Sequence, residues 1–182
     1  MNRILYIRHG ESEANVAGVF AGGAEDSLLT ARGRAQAKQA AEKLQDIHID
    51  TIIASSLRRT LETAQIIAAG IGYDARNIAT DERLKEYNVG AAQGEPLRGM
   101  TAQKLIHFPG AEDPQDFAKR VTAVLQEIKA MPGTILVVAH GGVSRLIECL
   151  KEGKDPENFY DMPKQNNAEI LELDLSWLSE ST

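Results

Sequence analysis

The sequence predicts an α/β fold, a mostly parallel sheet with helices packed against it, in a single domain over residues 1–182. Three observations predict it. Short apolar runs at 3–7, 50–54 and 134–139 alternate with longer stretches at helical spacing, as strand–helix–strand units require. The run 134–139 is continuous rather than alternating, as expected of a central strand covered on both faces. Two of the runs lead into a His-Gly pair, His9-Gly10 and His140-Gly141, where a chain leaving a sheet can turn sharply. A chain of 182 residues has room for one domain with a substantial core.

Each element has its own reason. Residues 3–7 have the length and β-branched content of a buried strand. The stretch 11–25, small and polar with Gly18, Gly22 and Gly23, reads as an extended loop. Thr30 is placed to cap a helix over about 31–45, rich in Ala, Lys and Gln. Residues 50–54 form a second buried strand with Ser55-Ser56 at its exit. Leu57, Leu61, Ala64, Ile67 and Ala68 then mark a helix over 57–69, closed by Gly70. Ile78 and Ala79 suggest a short third strand, and 84–94 is glycine-punctuated loop. A short helix about 101–108 ends at Pro109-Gly110. Pro114 suits the first turn of a helix over about 115–129, which closes before Pro132-Gly133. A helix over 143–151 follows Gly141-Gly142, and the alternation at 169–175 suits an edge strand.

Composition narrows the function classes. Hydrophobic content of 43% and charged content of 25% are ordinary for a soluble globular protein. A formal net charge of −6 argues against nucleic-acid and anionic-membrane partners, which need a basic face. A small phosphorylated substrate stays possible, because a few arginines in a cleft dominate the local field. The one cysteine, Cys149, makes no internal disulfide and fits a reducing, cytoplasmic setting; its apolar helical surroundings make it a buried small hydrophobe. No run is long enough for a signal peptide or a membrane span.

The chemistry concentrates at strand ends. In a parallel sheet His9 and His140 both emerge at the carboxyl edge, the usual ligand edge of open α/β sheets. The N–H groups of Gly141 and Gly142 and the following helix dipole make an anion site beside His140. Arg58 and Arg59 reach the same edge from the second strand, and Arg8 from the first. Two imidazoles, these guanidinium groups and a helix N-terminus suit a phosphoryl dianion. Taken alone an Arg-His pair at a strand end is more often a capping or surface pair; convergence gives it weight. His48 and His107 read as surface residues, and Ser12 as a loop cap.

Four motifs, in order, carry a resemblance. Arg8-His9-Gly10-Glu11-Ser12 with Asn15, Ser55-Ser56-Leu57-Arg58-Arg59-Thr60-Leu61-Glu62-Thr63-Ala64, Leu84-Lys85-Glu86 with Gly90 and Gly94, and Ala139-His140-Gly141-Gly142 span nearly the whole chain. Together they resemble the histidine phosphatase (phosphoglycerate mutase-like) superfamily. The resemblance implies a three-layer α/β/α sandwich with a small cap contributed by about 16–26 and 94–114. It further implies that His9 attacks phosphorus to give a phosphohistidine, with Arg8, Arg59 and His140 binding the phosphoryl group. Glu86 would protonate the departing alkoxide and then deprotonate water. Asn15 and Gly141 would help bind substrate; Arg58, next to the family's phosphate-binding position, is the weakest candidate and otherwise a solvated helix-face charge. No metal or other cofactor is implied.

Within the resemblance, a phosphomonoesterase is favoured over a cofactor-dependent phosphoglycerate mutase. Ala14 stands where the mutase loop usually carries tryptophan, and Glu86 continues Tyr87-Asn88-Val89-Gly90 instead of Glu-x-His-Tyr-Gly. The segment 86–140 is also only modestly basic: Lys85, Arg98 and Lys104 are few for holding a substrate carboxylate. A phospho-ligand-binding module without turnover is a further alternative, opposed by the complete residue set. The expected partner is a small phosphorylated metabolite, with phosphate or sulfate able to occupy the site. Sugar phosphates, phosphoglycerates, ribazole phosphate and phosphohistidine proteins all fit. The sequence is silent on oligomeric state.

Overall fold

The computed structural model describes residues 2–23 and 26–178. The chain runs β1 (Arg3–Arg8), α1 (Glu13–Ala17), α2 (Ala31–Leu44), β2 (Thr51–Ser55), α3 (Arg58–Ile71), β3 (Ala79–Asp81), α4 (Ala102–Ile106), α5 (Pro114–Ala130), β4 (Thr134–Ala139), α6 (Gly141–Lys151) and β5 (Ile170–Glu172). The five strands form one sheet in the order β3-β2-β4-β1-β5. β3, β2, β4 and β1 are mutually parallel, and β5 closes one edge antiparallel to β1.

The period of two along each strand builds the layers. Leu5, Ile7, Ile52, Ala54, Leu136 and Val138 point to one face, where they pack with Ala40, Ala41 and Leu44 of α2 and Ala64, Ile67 and Ala68 of α3. Ile4, Tyr6, Ile53, Ile135, Val137 and Ala139 point to the other, against Phe117, Val121 and Leu125 of α5 and Val143 and Leu146 of α6. Continuous apolar runs in β1 and β4 are thus the mark of strands covered twice. Each fully buried aliphatic side chain stabilises this sandwich by about 1.5–3 kcal/mol.

Local departures have local causes. Within 11–25, expected as extended loop, Glu13–Ala17 forms a short helix closed by Gly18 at φ 66°; residues 24–25 lie outside the described residues. Gly70 does not end α3. The helix continues to Ile71 and is capped by Gly72 at φ 74°. Gly70 lies where α2 and α3 pack closely, since a Cβ there would stand 2.5 Å from Ala41 Cβ. β3 starts one residue late, β5 holds only three residues, and α6 begins at Gly141 rather than at Val143. Thr30 does cap α2, its Oγ1 accepting from Gly33 N–H at 3.0 Å. Among the described residues no helix is long and apolar enough to cross a membrane.

Candidate active site

β2, β4 and β1 are neighbours in the sheet, so their carboxyl ends deliver Ser55, His140 and Arg8-His9 to one place. A cavity of about 160 Å³ opens there, lined among others by Arg8, His9, Ser12, Asn15, Arg59, Glu86, Gly141 and Gly142.

His9 is 4% exposed. Its Nδ1 lies 2.7 Å from the Gly10 carbonyl oxygen. A carbonyl only accepts, so Nδ1 carries the proton and Nε2 keeps its lone pair. Burial, then the Arg59 and Arg8 charges, hold the His9 pKa well below its ordinary value. The ring is therefore a neutral imidazole with an unprotonated Nε2, held close to two cations. Asn167 Nδ2 donates to the His9 carbonyl and to Asn15 Oδ1, each at 3.0 Å, tying the His9 backbone to the loop that carries Asn15. Asn15 Oδ1 also accepts from Ser12 N–H at 3.1 Å, and Asn15 lines the cavity.

The cations are held from behind. Arg8 is pinned by donation to the Gln165 carbonyl at 2.6 Å, and its Nε makes no hydrogen bond among the described residues. Burial pushes its pKa down, yet a guanidinium stays charged. Arg59, 1% exposed, donates to the Gly22 carbonyl at 2.9 Å. Arg58 is placed differently: its side chain is exposed on the outer side of α3 and is not part of the cavity wall. Its backbone N–H donates to Asp26. Successive helix residues point about 100° apart, so one of the pair must face out.

Glu86 also lines the cavity. Gly142 N–H, at the start of α6, donates to its Oε2 at 2.9 Å, and Tyr87 N–H donates to Oε1 at 2.9 Å. Gly142 is required by this approach, because a Cβ would lie 2.9 Å from Glu86 Cδ and closer still to Oε1. Arg120, from α5, binds the carbonyls of Arg83, Lys85 and Glu86, which fixes the loop behind the carboxylate.

His140 is fully buried and is not part of the cavity wall. Its ring meets the His9 ring edge-on, centroids 5.4 Å apart. Nε2 sits 2.8 Å from Ser55 Oγ, while Nδ1 makes no hydrogen bond among the described residues. Burial first, then Arg59, His9 and Arg8, keep this imidazole neutral by lowering its pKa. Tyr6 brackets the backbone of His140, donating to its carbonyl at 2.7 Å and accepting from its N–H at 3.1 Å.

Sequence reasoning missed several participants. Ser55, Asn167, Gln165 and Arg120 hold the residues above, and Arg145, Tyr160 and Lys164 line the cavity directly. Arg145 had a readable signal, since it follows Gly141 by four residues on one helix and so shares its face. Lys164 lies in an irregular segment and had none. Of the basic residues considered earlier, Lys85 pairs with Glu82, and Arg98 and Lys104 border a separate surface depression.

The chain is similar to proteins already known. A Hydrogenobacter thermophilus protein named as a phosphoserine phosphatase is 33% identical over 186 residues, covering 95% of this chain and 89% of that one. An Escherichia coli protein named as a phosphoglycerate mutase, GpmB, is 34% identical over 155 residues, covering 78% and 70%. The solved phosphoserine phosphatase of Entamoeba histolytica, a mutant in complex with phosphoserine, matches with a TM-score of 0.78 at 25% identity, covering 94% and 90%. The same protein in complex with 3-phosphoglyceric acid matches at 0.77, again at 25% identity and with 94% and 90% covered. A family model, the histidine phosphatase superfamily (branch 1), matches residues 4–176. With that match running from β1 past β5, the chain belongs to branch 1 of the histidine phosphatase superfamily.

Proposed function

We propose that the protein is a phosphomonoesterase that works through a phosphohistidine on His9. One observation carries the reading: a buried, neutral imidazole, its Nδ1–H held by Gly10, lies between Arg8 and Arg59 at a cavity wall. His9 Nε2 attacks phosphorus and the phosphorus–oxygen ester bond breaks. Arg8 and Arg59 stabilise the charge on the equatorial oxygens, which is where phosphoryl transfer needs it. Glu86, held at the N-terminus of α6, gives a proton to the leaving alkoxide. Water then attacks the phosphohistidine and passes a proton to Glu86; the phosphorus–nitrogen bond breaks and His9 is restored. His140, with Ser55 behind it, backs the His9 ring, and Asn15 Nδ2 and Gly141 contribute to binding. These cations supply the charge stabilisation, so the steps invoke no metal.

We assign the cap to about 16–26 and 94–114. Val19 and Phe20 from the first segment and Leu97 and Leu105 from the second contribute to the cavity wall, and a bridge pairs Val19 with Pro96.

Rapid quench of a turnover mixture tests the mechanism. The expected product is protein-bound phosphate that is labile in acid, stable in alkali and lost in His9→Ala. Turnover with no such species, or His9→Ala that still hydrolyses p-nitrophenyl phosphate, overturns it. A phosphoglycerate mutase is the second reading, favoured by cations at Arg145 and Lys164 inside the cavity and by the relative GpmB. 3-Phosphoglycerate yielding 2-phosphoglycerate faster than inorganic phosphate would select it. No turnover of any monoester between pH 5 and 8 would select a binding module instead.

A further inference from the structure

Resting on the phosphatase reading, we propose that Gln36 is a positioning residue for His9, acting through the Gly10–Glu11 peptide to favour the charged imidazole that phosphoryl transfer creates. Gln36 lies on α2, outside the four motifs and outside the cavity wall. Its Oε1 accepts the Glu11 N–H at 2.8 Å. The carbonyl at the other end of the same peptide unit, that of Gly10, accepts His9 Nδ1–H at 2.7 Å. One planar amide thus joins the two side chains.

α2 lies hard against this peptide. A Cβ on Gly33 would stand 2.8 Å from Glu11 N and closer still to Glu11 O. Thr30 N–H donates to Glu11 O at 2.9 Å, and Thr63 Oγ1 accepts the Gly10 N–H at 3.1 Å. Because Thr30, Gly33 and Thr63 hold the backbone independently, loss of the Gln36 acceptor changes the polarity of the peptide and leaves the loop in place.

The chemistry gives that polarity a use. As Nε2 bonds to phosphorus its lone pair becomes the new bond, and the ester oxygen leaves with its own electron pair. The Nδ1 proton stays on the ring, so the imidazole gains one positive charge. Burial, Arg59 and Arg8 all disfavour that charge, and the Gly10 carbonyl favours it. A hydrogen bond strengthens when its donor becomes charged, so this one contributes most in the transition state and the phosphohistidine. An acceptor on the N–H of a peptide polarises the amide and makes its carbonyl the stronger acceptor. Gln36 supplies that acceptor. The arrangement follows the logic of a third group behind a catalytic histidine, with one peptide in between.

The test uses Gln36→Leu, which keeps the bulk without an acceptor, and Gln36→Glu, which keeps an acceptor and charges it. Single-turnover release of p-nitrophenolate from p-nitrophenyl phosphate, with enzyme in excess, reads the phosphorylation step. NMR of protein labelled with nitrogen-15 histidine, without substrate, reads the Nδ1–H of His9, identified by its loss in His9→Ala. Gln36→Leu should slow phosphorylation about three- to tenfold, the effect of one hydrogen bond, with substrate affinity unchanged. Its Nδ1–H resonance should move upfield, as in a weakened hydrogen bond. Gln36→Glu should hold the rate at or above wild type and move the resonance downfield, which keeps the test readable even where Gln36→Leu fails to fold. An unmoved resonance, an unchanged rate in Gln36→Leu, a rate loss shared by Gln36→Glu, or a loss in substrate affinity alone overturns the role of Gln36. Any of these with p-nitrophenolate released by wild type sinks the relay alone; no release by wild type sinks the phosphatase reading.

Discussion

Arg120→Met should damage both the fold and the proton transfer proposed for Glu86. Arg120 donates to the carbonyls of Arg83 at 2.7 Å, Lys85 at 2.8 Å and Glu86 at 3.1 Å. It also grips Glu112 through both carboxylate oxygens, at 2.6 and 2.9 Å, and lies over the Phe117 ring. Met keeps the stem and deletes the fork. Hydrogen bonds to a charged group contribute about 1.5–3 kcal/mol each, so five taken separately would reach about 7–15 kcal/mol, the whole stability of an ordinary domain. That sum overcounts, because the acceptors rewet once the fork is gone. Removing one partner of a buried ion pair costs about 3–5 kcal/mol. With Arg120 and Glu112 side chains 22% and 16% exposed, the low end applies, and about 3 kcal/mol is expected. In urea unfolding at pH 7, a slope of about 2 kcal/mol/M turns this into a midpoint lowered by about 1.5 M. The kinetic signature is separate. p-Nitrophenolate leaves without help, whereas an alkoxide needs the proton, so kcat should fall more for an alkyl phosphate than for p-nitrophenyl phosphate. A midpoint within about 0.3 M of wild type, or equal losses on both esters, refutes the role given to Arg120.

Three further outcomes follow from the same geometry. His9 and His140 are held neutral with lowered pKa values, so the unfolded chain binds more protons below its ordinary histidine pKa near 6.5. Stability is therefore full above about pH 6.5 and falls with acidification by up to about 2.7 kcal/mol per pH unit for the two groups, a slope that His140→Gln should roughly halve in urea melts. Gly142→Ala should cut kcat on alkyl phosphates by about 10²–10⁴, the worth of a general acid, by driving the Glu86 carboxylate off its N–H partner. Its melting temperature should hold or rise, since alanine favours the helix. Asn167→Ala releases the His9 carbonyl and Asn15 together, so a stability loss of about 1 kcal/mol and a higher KM are expected; an unchanged KM would place Asn15 outside binding.

How much of this was readable depends on whether the deciding contact was local. β1 and β4 were legible because strands buried on both faces leave unbroken apolar runs, and Thr30 because a cap is a local hydrogen bond. Gly70 misled because a glycine near a helix end reads as a cap, and only Ala41 on another helix shows that it is a packing glycine. α1 escaped because five residues carry no measurable period. At the site, the strand ends put His9, His140 and the Arg58-Arg59 pair at one sheet edge, and the resemblance singled out Arg59 and added Glu86 from a loop. The motifs were silent on what holds them: Arg120 meets the Glu86 loop across 34 residues and Asn167 meets His9 across 158. Such pairings exist only after the sheet has formed.

The cavity cations also change the reasoning between hydrolysis and phosphoryl return. A scarcity of basic residues over 86–140 spoke against a mutase, but the positive charge enters from Arg145 and Lys164, beyond that segment. What then separates the two chemistries is how long the dephosphorylated product stays beside the phosphohistidine. Arg145 is half-buried against Tyr160, which restrains its guanidinium. Lys164 is at the exposed rim, where solvent screens its attraction and an ion pair contributes little. On the proposed mechanism, a product held this loosely departs before phosphoryl return and leaves a phosphohistidine on His9 to water. Strengthening the rim should shift the balance. Lys164→Arg, offering a planar fork in place of a point charge, is expected to slow phosphate release relative to His9 phosphorylation in single-turnover experiments, and unchanged partitioning would show that product retention does not decide the reaction.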